Sequence, residues 1–264
     1  PPAPNPPQAP STRGLIAYWP FDERGGQTAN DASGHGHAGQ LRGPRWVEGR
    51  QGGALEFDGV DDLVVVAPSR SLNAAESMPV SLWLNPHDDP SEDERLLELK
   101  GSWDLKLNGP SMRPQFNARG YAVALGGTAE GEWVHLAVTF RRGTVHWYFN
   151  GGERGLLKNT IAAGATLPAV FDEFRIGGNG FNFIKGRIDE LRLYNRALSP
   201  AEVQDLARPG AEPALRVPVI DDHHRADAVR DAAVRMPGQE LRARRGRFRH
   251  DETFVGQHRD SHAR

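Results

Sequence analysis

The sequence predicts an all-β chain folded as two antiparallel sheets packed face to face, and three observations carry that prediction. About eleven segments of roughly four to ten residues are rich in β-branched and aromatic side chains and bounded by turn residues. The 264 residues include 30 glycines and 20 prolines, a share that strand-rich folds with many tight turns use and helix bundles do not. Within residues 14–207 only one segment, SPAEVQDLA at 199–207, reads as a helix, while stretches at about 224–236 and 238–246 in the tail read as marginally helical.

Taken in order, residues 1–13, PPAPNPPQAPSTR, are proline-dominated and nearly devoid of apolar side chains, which predicts an extended linker to something preceding it. Residues 14–207 form the expected globular domain. Its strand candidates are GLIAYWPF, GALEFDG, DLVVVA, VSLWLNP, RLLELK, WDLKLN, YAVALGG, EWVHLAVTFR, TVHWYFNGG, EFRIGG and GRIDELRLYN. Arg142-Gly143 marks a tight hairpin turn and Asn150-Gly151 opens the next. Alternation then directs Val134, Leu136, Val138 and Phe140, with Val145, Trp147 and Phe149, to the core. Trp133, His135, Thr139, His146 and Tyr148 fall on the opposite face, a mixed polar and aromatic surface. The helix opens with Ser199 as N-cap, Pro200 at its first position and Glu202 closing a capping box, and being short it is expected to lie over the sandwich as a lid. From 208 to 264 the chain changes to Arg, His, Asp and Ala, with two aromatics, Phe248 and Phe254, and no lysine. That composition buries little and predicts a disordered, solvated tail.

Composition narrows the function. Net charge is −2, so nothing global points to nucleic acid or to a membrane surface. Cysteine is absent, which removes disulfides, thiolate catalysis and zinc-thiolate sites together. No apolar run approaches the ~18–20 residues of a membrane-spanning helix. Serine-elbow, phosphate-loop and Cys/His nucleophile signatures are also missing from the sequence.

The last strand candidate, KGRIDELRLYNRALSPAEV at 185–203, places two acids in its middle. Period-2 reading puts Ile188, Glu190, Arg192 and Tyr194 on one face and Asp189 with Leu191 and Leu193 on the other. An ionised carboxylate beside a core face needs a partner. Arginine, backbone amides and a metal ion are the candidates, and among arginines Arg187, Arg192 and Arg175 are within consideration.

Six segments, GLIAYWPFDERGGQTANDASGHGHAGQL, GGALEFDGVDDLVVV, EWVHLAVTF, VHWYFNGG, IGG and GRIDELRLYNRALSPAEV, resemble in order and spacing the laminin-G-like jelly-roll domains of the concanavalin A-like lectin and glucanase superfamily. The resemblance covers about residues 14–207. It implies two curved antiparallel sheets, one concave, in a module of a secreted or surface-attached bacterial protein with further domains, binding polysaccharides or glycoconjugates or mediating adhesion. It also implies a structural calcium ion where the first and last strands meet, with Asp22, Asp31 and Asp189 as carboxylate ligands and the loop around Gly34 and Gly36 turning carbonyls inward. In related loops asparagines stand where this chain has His35 and His37, and imidazole is a poor calcium ligand. The residues alone also admit a plainer reading, in which Asp31 caps a turn, Asp22 ends a strand and Asp189 pairs with an arginine. His35 and His37 lack a third nearby ligand for a transition metal, and DGVDD at 58–62 reads as a hairpin turn.

Glucanases of that superfamily carry E-x-D-x-E or E-x-D-x-x-E along one strand, since retaining hydrolysis needs two carboxyls about 5–5.5 Å apart. Here Glu92, Asp93 and Glu94 are consecutive, and Glu94, Leu96 and Glu98 share a face without a central aspartate, so a non-catalytic binder is expected. A glycan-binding sheet needs aromatic platforms and polar partners, and the candidates are Trp103, Asp104, Tyr121, His146 and Tyr148. Trp103 and Tyr148 can equally be core residues, and a protein-binding adhesion module without glycan specificity needs only the sandwich and its loops.

Overall fold

The computed structural model describes residues 11–73, 75–87, 93–108, 113–208 and 210. The chain divides into two units, 1–216 and 217–264, and every described residue lies in the first. The proline stretch up to residue 10 and the tail beyond 210 lie outside the described residues, as does Glu92.

The strands are β1 (Leu15–Trp19), β2 (Thr28–Ala29), β3 (Gly39–Arg42), β4 (Arg45–Glu48), β5 (Gly53–Asp58), β6 (Leu63–Val66), β7 (Val80–Pro86), β8 (Asp93–Leu99) and β9 (Trp103–Asn108). They continue with β10 (Arg113–Ala118), β11 (Gly120–Ala124), β12 (Val134–Arg141), β13 (Thr144–Phe149), β14 (Gly152–Arg154), β15 (Leu156–Asn159), β16 (Phe174–Ile176) and β17 (Lys185–Tyr194), and α1 (Pro200–Leu206) follows. One sheet runs β14-β13-β12-β7-β17-β5-β4, with β1 also on β17, and the other runs β15-β11-β10-β9-β8-β16-β6-β3-β2. The result is an antiparallel jelly-roll sandwich. All eleven predicted strands are present, joined by β2, β3, β4, β10, β14 and β15, which are short, polar or interrupted by proline.

Both predicted hairpins take their turn from left-handed residues. Arg142 (φ 45°) and Gly143 (φ 81°) link β12 to β13, and Asn150 (φ 49°) and Gly151 (φ 78°) link β13 to β14. Two consecutive positive φ values match the right-handed twist of the flanking strands. Gly143 has a second reason to be glycine, since a Cβ there would stand 2.0 Å from the carbonyl oxygen of Ala162.

The inner faces of the sheets meet in one continuous core that contains Leu136, Val138, Phe140, Val145, Trp147 and Phe149, as the alternation predicts, with Val134 partly buried against it. An aromatic chain crosses it. Trp19 stacks on Phe174 (5.6 Å between centroids), Phe174 meets Trp103 (5.8 Å), Trp103 meets Phe116 (5.8 Å), and Phe116 meets Phe140 (5.7 Å).

Part of the outer face of the eight-stranded sheet is covered as well. Leu198, Val203 and Leu206 bring α1 down on Leu15, Tyr18, Ala137, Tyr148 and Tyr194. The helix is fixed by the predicted capping box, in which Ser199 Oγ accepts from Glu202 N and Ser199 N donates to Glu202 Oε2 at 2.8 Å. Its hydrogen bond from Arg196, helped by those from Ser199, holds the Glu202 carboxyl down at about 2 despite partial burial. This lid corrects part of the sequence reading, because His135, Thr139 and Tyr148, expected on a polar surface, are buried beneath it and its neighbours. His135 Nε2 lies 2.9 Å from Ser81 Oγ, and burial lowers the imidazole to about 3, with Arg192 adding to the effect.

β17 departs from simple alternation at the two acids. Asp189 is opposite Trp83 on β7 but Arg192 is opposite Ser81, so one extra residue bulges out, and Glu190 takes φ 55°. On the other side of β17, β5 pairs with Lys185–Ile188 and β1 pairs with Leu191–Tyr194. The bulge marks that change of partner. It also resets the faces: Ile188, Leu191 and Leu193 all enter the core. The predicted placement of Asp189 beside Leu191 and Leu193 is therefore corrected. Beneath the lid, Glu190 pairs with Arg192 and accepts from Tyr18 Oη at 2.8 Å, and Arg192 lies 4.1 Å over the Tyr18 ring.

Two outcomes follow. Glu190→Ala leaves the Arg192 cation buried without its carboxylate and should lower the unfolding free energy by about 3–5 kcal/mol, read from the urea midpoint. A loss below about 1 kcal/mol contradicts the pairing. His135 is neutral in the fold at pH values where the unfolded chain's histidine is protonated. Its contribution is therefore present above about pH 6.5 and is lost as pH falls toward about 3, by at most roughly 5 kcal/mol. Denaturation from pH 7 to 4 should show a shallower loss for His135→Gln than for the parent chain, and parallel curves would contradict the burial.

Candidate functional site

Polar and aromatic side chains gather at the turn between β4 and β5, on the outer face of the nine-stranded sheet and in a cavity beside α1, and further carboxylates gather in the 31–37 and 58–62 turns.

At the first, Asp189 has no solvent exposure, which makes its partners decisive. Each of the three candidate arginines is engaged with another carboxylate. Arg187 pairs with Glu56, Arg192 with Glu190, and Arg175 with Glu98 and Glu173. Backbone amides hold it instead: Oδ2 accepts from Gln51 N at 2.9 Å, and the Arg50 amide also bonds the carboxylate. Burial, with the neighbouring Glu190 adding, pushes its carboxyl up to about 8 against those hydrogen bonds. Asp22 reaches the same turn, its Oδ1 accepting from Gly53 N at 2.6 Å.

The turn is crowded with oxygens. A Cβ on Gly52 would stand 2.0 Å from Asp22 Oδ1, on Gly53 2.4 Å from Phe21 O, and on Gly49 2.1 Å from Gly53 O and 2.8 Å from Asp189 Oδ2. Asp189 Oδ1 is buried with no hydrogen-bond partner, and so are Oε1 and Nε2 of Gln51. The unpartnered Asp189 carboxylate and Gln51 amide oxygens, with the Asp22 carboxylate and main-chain oxygens at the same turn, form a donor set that suits a hard cation such as calcium.

The other two predicted ligands belong to a different turn. Asp31 accepts from Tyr18 N (3.0 Å), Ser33 N (2.8 Å) and His37 N (2.9 Å). Burial raises its carboxyl, but these hydrogen bonds outweigh it and the net shift is downward. Gly36 lies in the same loop at φ 81°. His35 Nδ1 sits 3.1 Å from Ser33 Oγ, and His37 Nε2 sits 2.8 Å from Ser71 Oγ. The structure thus joins Asp22 with Asp189 and Asp31 with Gly36. In the 58–62 turn, Asp58, Asp61 and Asp62 bring carboxylate oxygens within 4.8 Å of one another, and Asp62 Oδ2 accepts from Asp58 N.

The second place is built by register. Tyr121 on β11 is opposite Asn117 on β10, Asn117 is opposite Asp104 on β9, Asp104 is opposite Glu98 on β8, and Glu98 is opposite Arg175 on β16. One straight row of side chains therefore crosses five strands on the solvent side. The row is tied together by hydrogen bonds. Arg95 and Asn117 both reach Asp104 Oδ1, Gln115 Nε2 donates to Asn117 Oδ1 at 2.6 Å, and Asn108 Nδ2 donates to Gln115 Oε1 at 3.2 Å. Glu98, Asp104 and Asn117 line a cavity of about 190 Å³ beside Gly101 and Ser102. Burial raises the Asp104 carboxyl despite Asn117 and Arg95. It raises Glu98 too, with Arg175 opposing and Asp104 reinforcing. Glu98 Oε2 has no hydrogen-bond partner. The cavity is thus lined with acceptors and takes O–H or N–H donors.

Asp104 and half-buried Tyr121 stand on this face as the sequence suggests, with Lys158 Nζ 5.1 Å over the Tyr121 ring. Trp103 does not: at 3% exposure it is a core residue between Phe116 and Phe174, since it alternates inward from Asp104. His146 and Tyr148 are on the other sheet. With Thr139, Arg141, Glu153 and Pro200 they line a cavity of about 390 Å³ beside α1, where His146 Nδ1 meets Glu153 Oε1 at 2.7 Å and the Tyr148 ring is 3% exposed. Asn117 escaped the sequence reading because RPQFNA, its strand, carries a proline and alternates poorly. The expectation that Glu94 and Glu98 share a face is also corrected, because a register shift between Arg95 and Leu97 leaves Glu94 opposite the core residue Leu107 and Glu98 opposite Asp104.

Comparison with solved structures returns the same sandwich. Domain 4 of AbnA, a GH43 extracellular arabinanase from Geobacillus stearothermophilus solved with arabinotriose, is 23% identical with a TM-score of 0.57, covering 76% of this chain and 100% of that one. The Trypanosoma rangeli sialidase in complex with the inhibitor DANA is 20% identical (TM-score 0.54) over 73% of this chain and 32% of its own. The receptor binding domain of botulinum neurotoxin C/D mosaic serotype is 14% identical (TM-score 0.58) over 75% of this chain and 51% of its own. This chain thus spans about a third of the sialidase and half of the toxin domain, and at these identities the likeness is one of fold. No curated protein matches. A family model described as concanavalin A-like lectin/glucanases superfamily matches residues 58–204, more than half of the sequence, and the chain belongs to that superfamily.

Proposed function

We propose that this chain is a non-catalytic module of an extracellular or surface protein that binds glycans on the outer face of its nine-stranded sheet and carries a structural calcium ion at the 49–53 turn. The observation that carries the reading is the pre-organised row from Tyr121 through Asn117, Asp104 and Glu98, opening on an acceptor-lined cavity. Sugar hydroxyls are the donors such a cavity asks for, and the C–H face of a sugar ring packs on an aromatic ring like Tyr121. The arabinotriose held by the fourth domain of AbnA supports the ligand class.

A specific observation favours a second reading, glycoside hydrolysis. Glu98 and Asp104 are directly opposite on adjacent strands, a separation compatible with a carboxylate pair. Against it, each is neutralised by an arginine, Arg175 and Arg95, and Asp104 is committed to Asn117. A protein-binding adhesion module remains the reading if no glycan binds.

Calcium would be held by Asp189 and Asp22 with main-chain or amide oxygens of the 49–53 turn, neutralising a carboxylate that is otherwise buried without a cation. Melting with calcium at a hundred times its dissociation constant should gain about 2.7 kcal/mol over melting with chelator, and Asp189→Ala should erase that difference. A midpoint indifferent to chelator leaves Asp189 as an amide cap alone. On a glycan array, Asp104→Asn and Asn117→Ala should each weaken binding about tenfold or more while the far-ultraviolet circular dichroism stays that of the parent fold. Unaltered binding contradicts the sheet-face site, and release of reducing ends that Glu98→Gln abolishes would establish the hydrolase.

A further inference from the structure

We infer that the sheet-face site takes an extended oligosaccharide laid across the strands, with Tyr121 at one end and Phe181 as an apolar platform at the other. The inference rests on the glycan-binding reading above and specifies the ligand within it.

The length of the row is the first argument. It runs from β11 to β16 through three intervening strands, and neighbouring strands lie about 4.8 Å apart, so its ends are roughly 19 Å from each other. A single sugar ring cannot touch both. The hydrogen-bonding side chains do not converge on one point either: Asn117, Asp104 and Glu98 follow one another along the row.

The second argument is how the far end is finished. Arg175 ends the charged part of the row, since the next position across, Val65 on β6, is apolar and buried, and its Nη1 donates to Asn179 O at 2.6 Å. The 178–183 loop therefore folds onto the guanidinium that also pairs with Glu98. That loop is tightly bonded: Asn179 Oδ1 accepts from Phe181 N (3.0 Å) and Asn182 N (2.8 Å), Asn179 N donates to Asn182 O (3.1 Å), and Gly178 bridges Phe183. On this braced turn the Phe181 ring is 88% exposed, more than any other large apolar side chain among the described residues. A ring presented to water by a rigid turn marks a contact surface. The two aromatics that the sequence suggested as platforms, Trp103 and Tyr148, are buried, whereas Tyr121 stands at one end of the row and Phe181 on the loop bonded to Arg175 at the other. Apolar rings at both ends with acceptors between them suit a chain of sugars whose C–H faces stack and whose hydroxyls point to the sheet.

The test is calorimetry of the full chain against cello-, xylo-, manno- and arabino-oligosaccharide ladders from one to six units. Affinity should rise at least about tenfold between the monosaccharide and the longer members of a ladder that binds. Phe181→Ala should cancel most of that rise, leaving the melting midpoint and the affinity for the shortest binding member unchanged. Val60→Ser, at another exposed apolar residue on the 58–62 turn, should change nothing. Binding that is independent of length, or a length dependence that Phe181→Ala leaves intact, overturns the inference while sparing the glycan reading. No binding to any ladder overturns both. Cosedimentation with phosphatidylcholine–phosphatidylglycerol vesicles that Phe181→Ala abolishes would assign the ring to a lipid surface and likewise overturn it.

Discussion

The bulge in β17 at Asp189 and Glu190 lets the closing strand serve three partner strands at once. The closing strand runs through the middle of a sheet and has β7 along one side, while β5 and then β1 share the other. A strand that keeps strict alternation across that change of partner cannot send Ile188, Leu191 and Leu193 all inward. One extra residue at a left-handed φ solves the geometry, and it leaves two carboxylates buried where strands meet. Each is then compensated differently: Glu190 by Arg192 and the Tyr18 hydroxyl, Asp189 by the amides of the turn that leads into β5. The chain's beginning, an early hairpin and its last strand are thereby tied at one point.

That closure positions the candidate binding face on the opposite sheet. The aromatic chain from Trp19 through Phe174, Trp103 and Phe116 to Phe140 fills the space between the sheets. Residues one step out of phase with it, Asp104 beside Trp103, Asn117 beside Phe116 and Arg175 beside Phe174, are necessarily on the solvent side and in line. The core and the polar row are the two faces of the same strands, so the packing that stabilises one fixes the spacing of the other.

Much of this was legible in the sequence. Strand positions followed from β-branched and aromatic runs, the hairpins from Arg142-Gly143 and Asn150-Gly151, and the helix from its capping box, because each is a local preference with a local cause. What escaped depends on partners distant in sequence. The β17 bulge requires knowing that β5 and β1 share one side of the strand, and the shift in β8 that separates Glu94 from Glu98 has no signature of its own. Burial of His135 and Tyr148 requires knowing where α1 lands. Among the site residues, Asp189 stood out because an acid in a closing strand is a conflict between propensity and burial. Asn117 and Arg175 did not, since only cross-strand register gives them neighbours.

A buried carboxylate in the last strand holds the 49–53 turn through its amides. Amide hydrogen exchange on the native protein measures this directly. The account predicts that Gln51 N–H, although it belongs to a glycine-rich turn near the surface, exchanges with protection comparable to the centre of β17, and that Asp189→Ala lowers Gln51 protection far more than protection in β12 or β13. Exchange of Gln51 in the parent chain at the rate of an unstructured loop would contradict it.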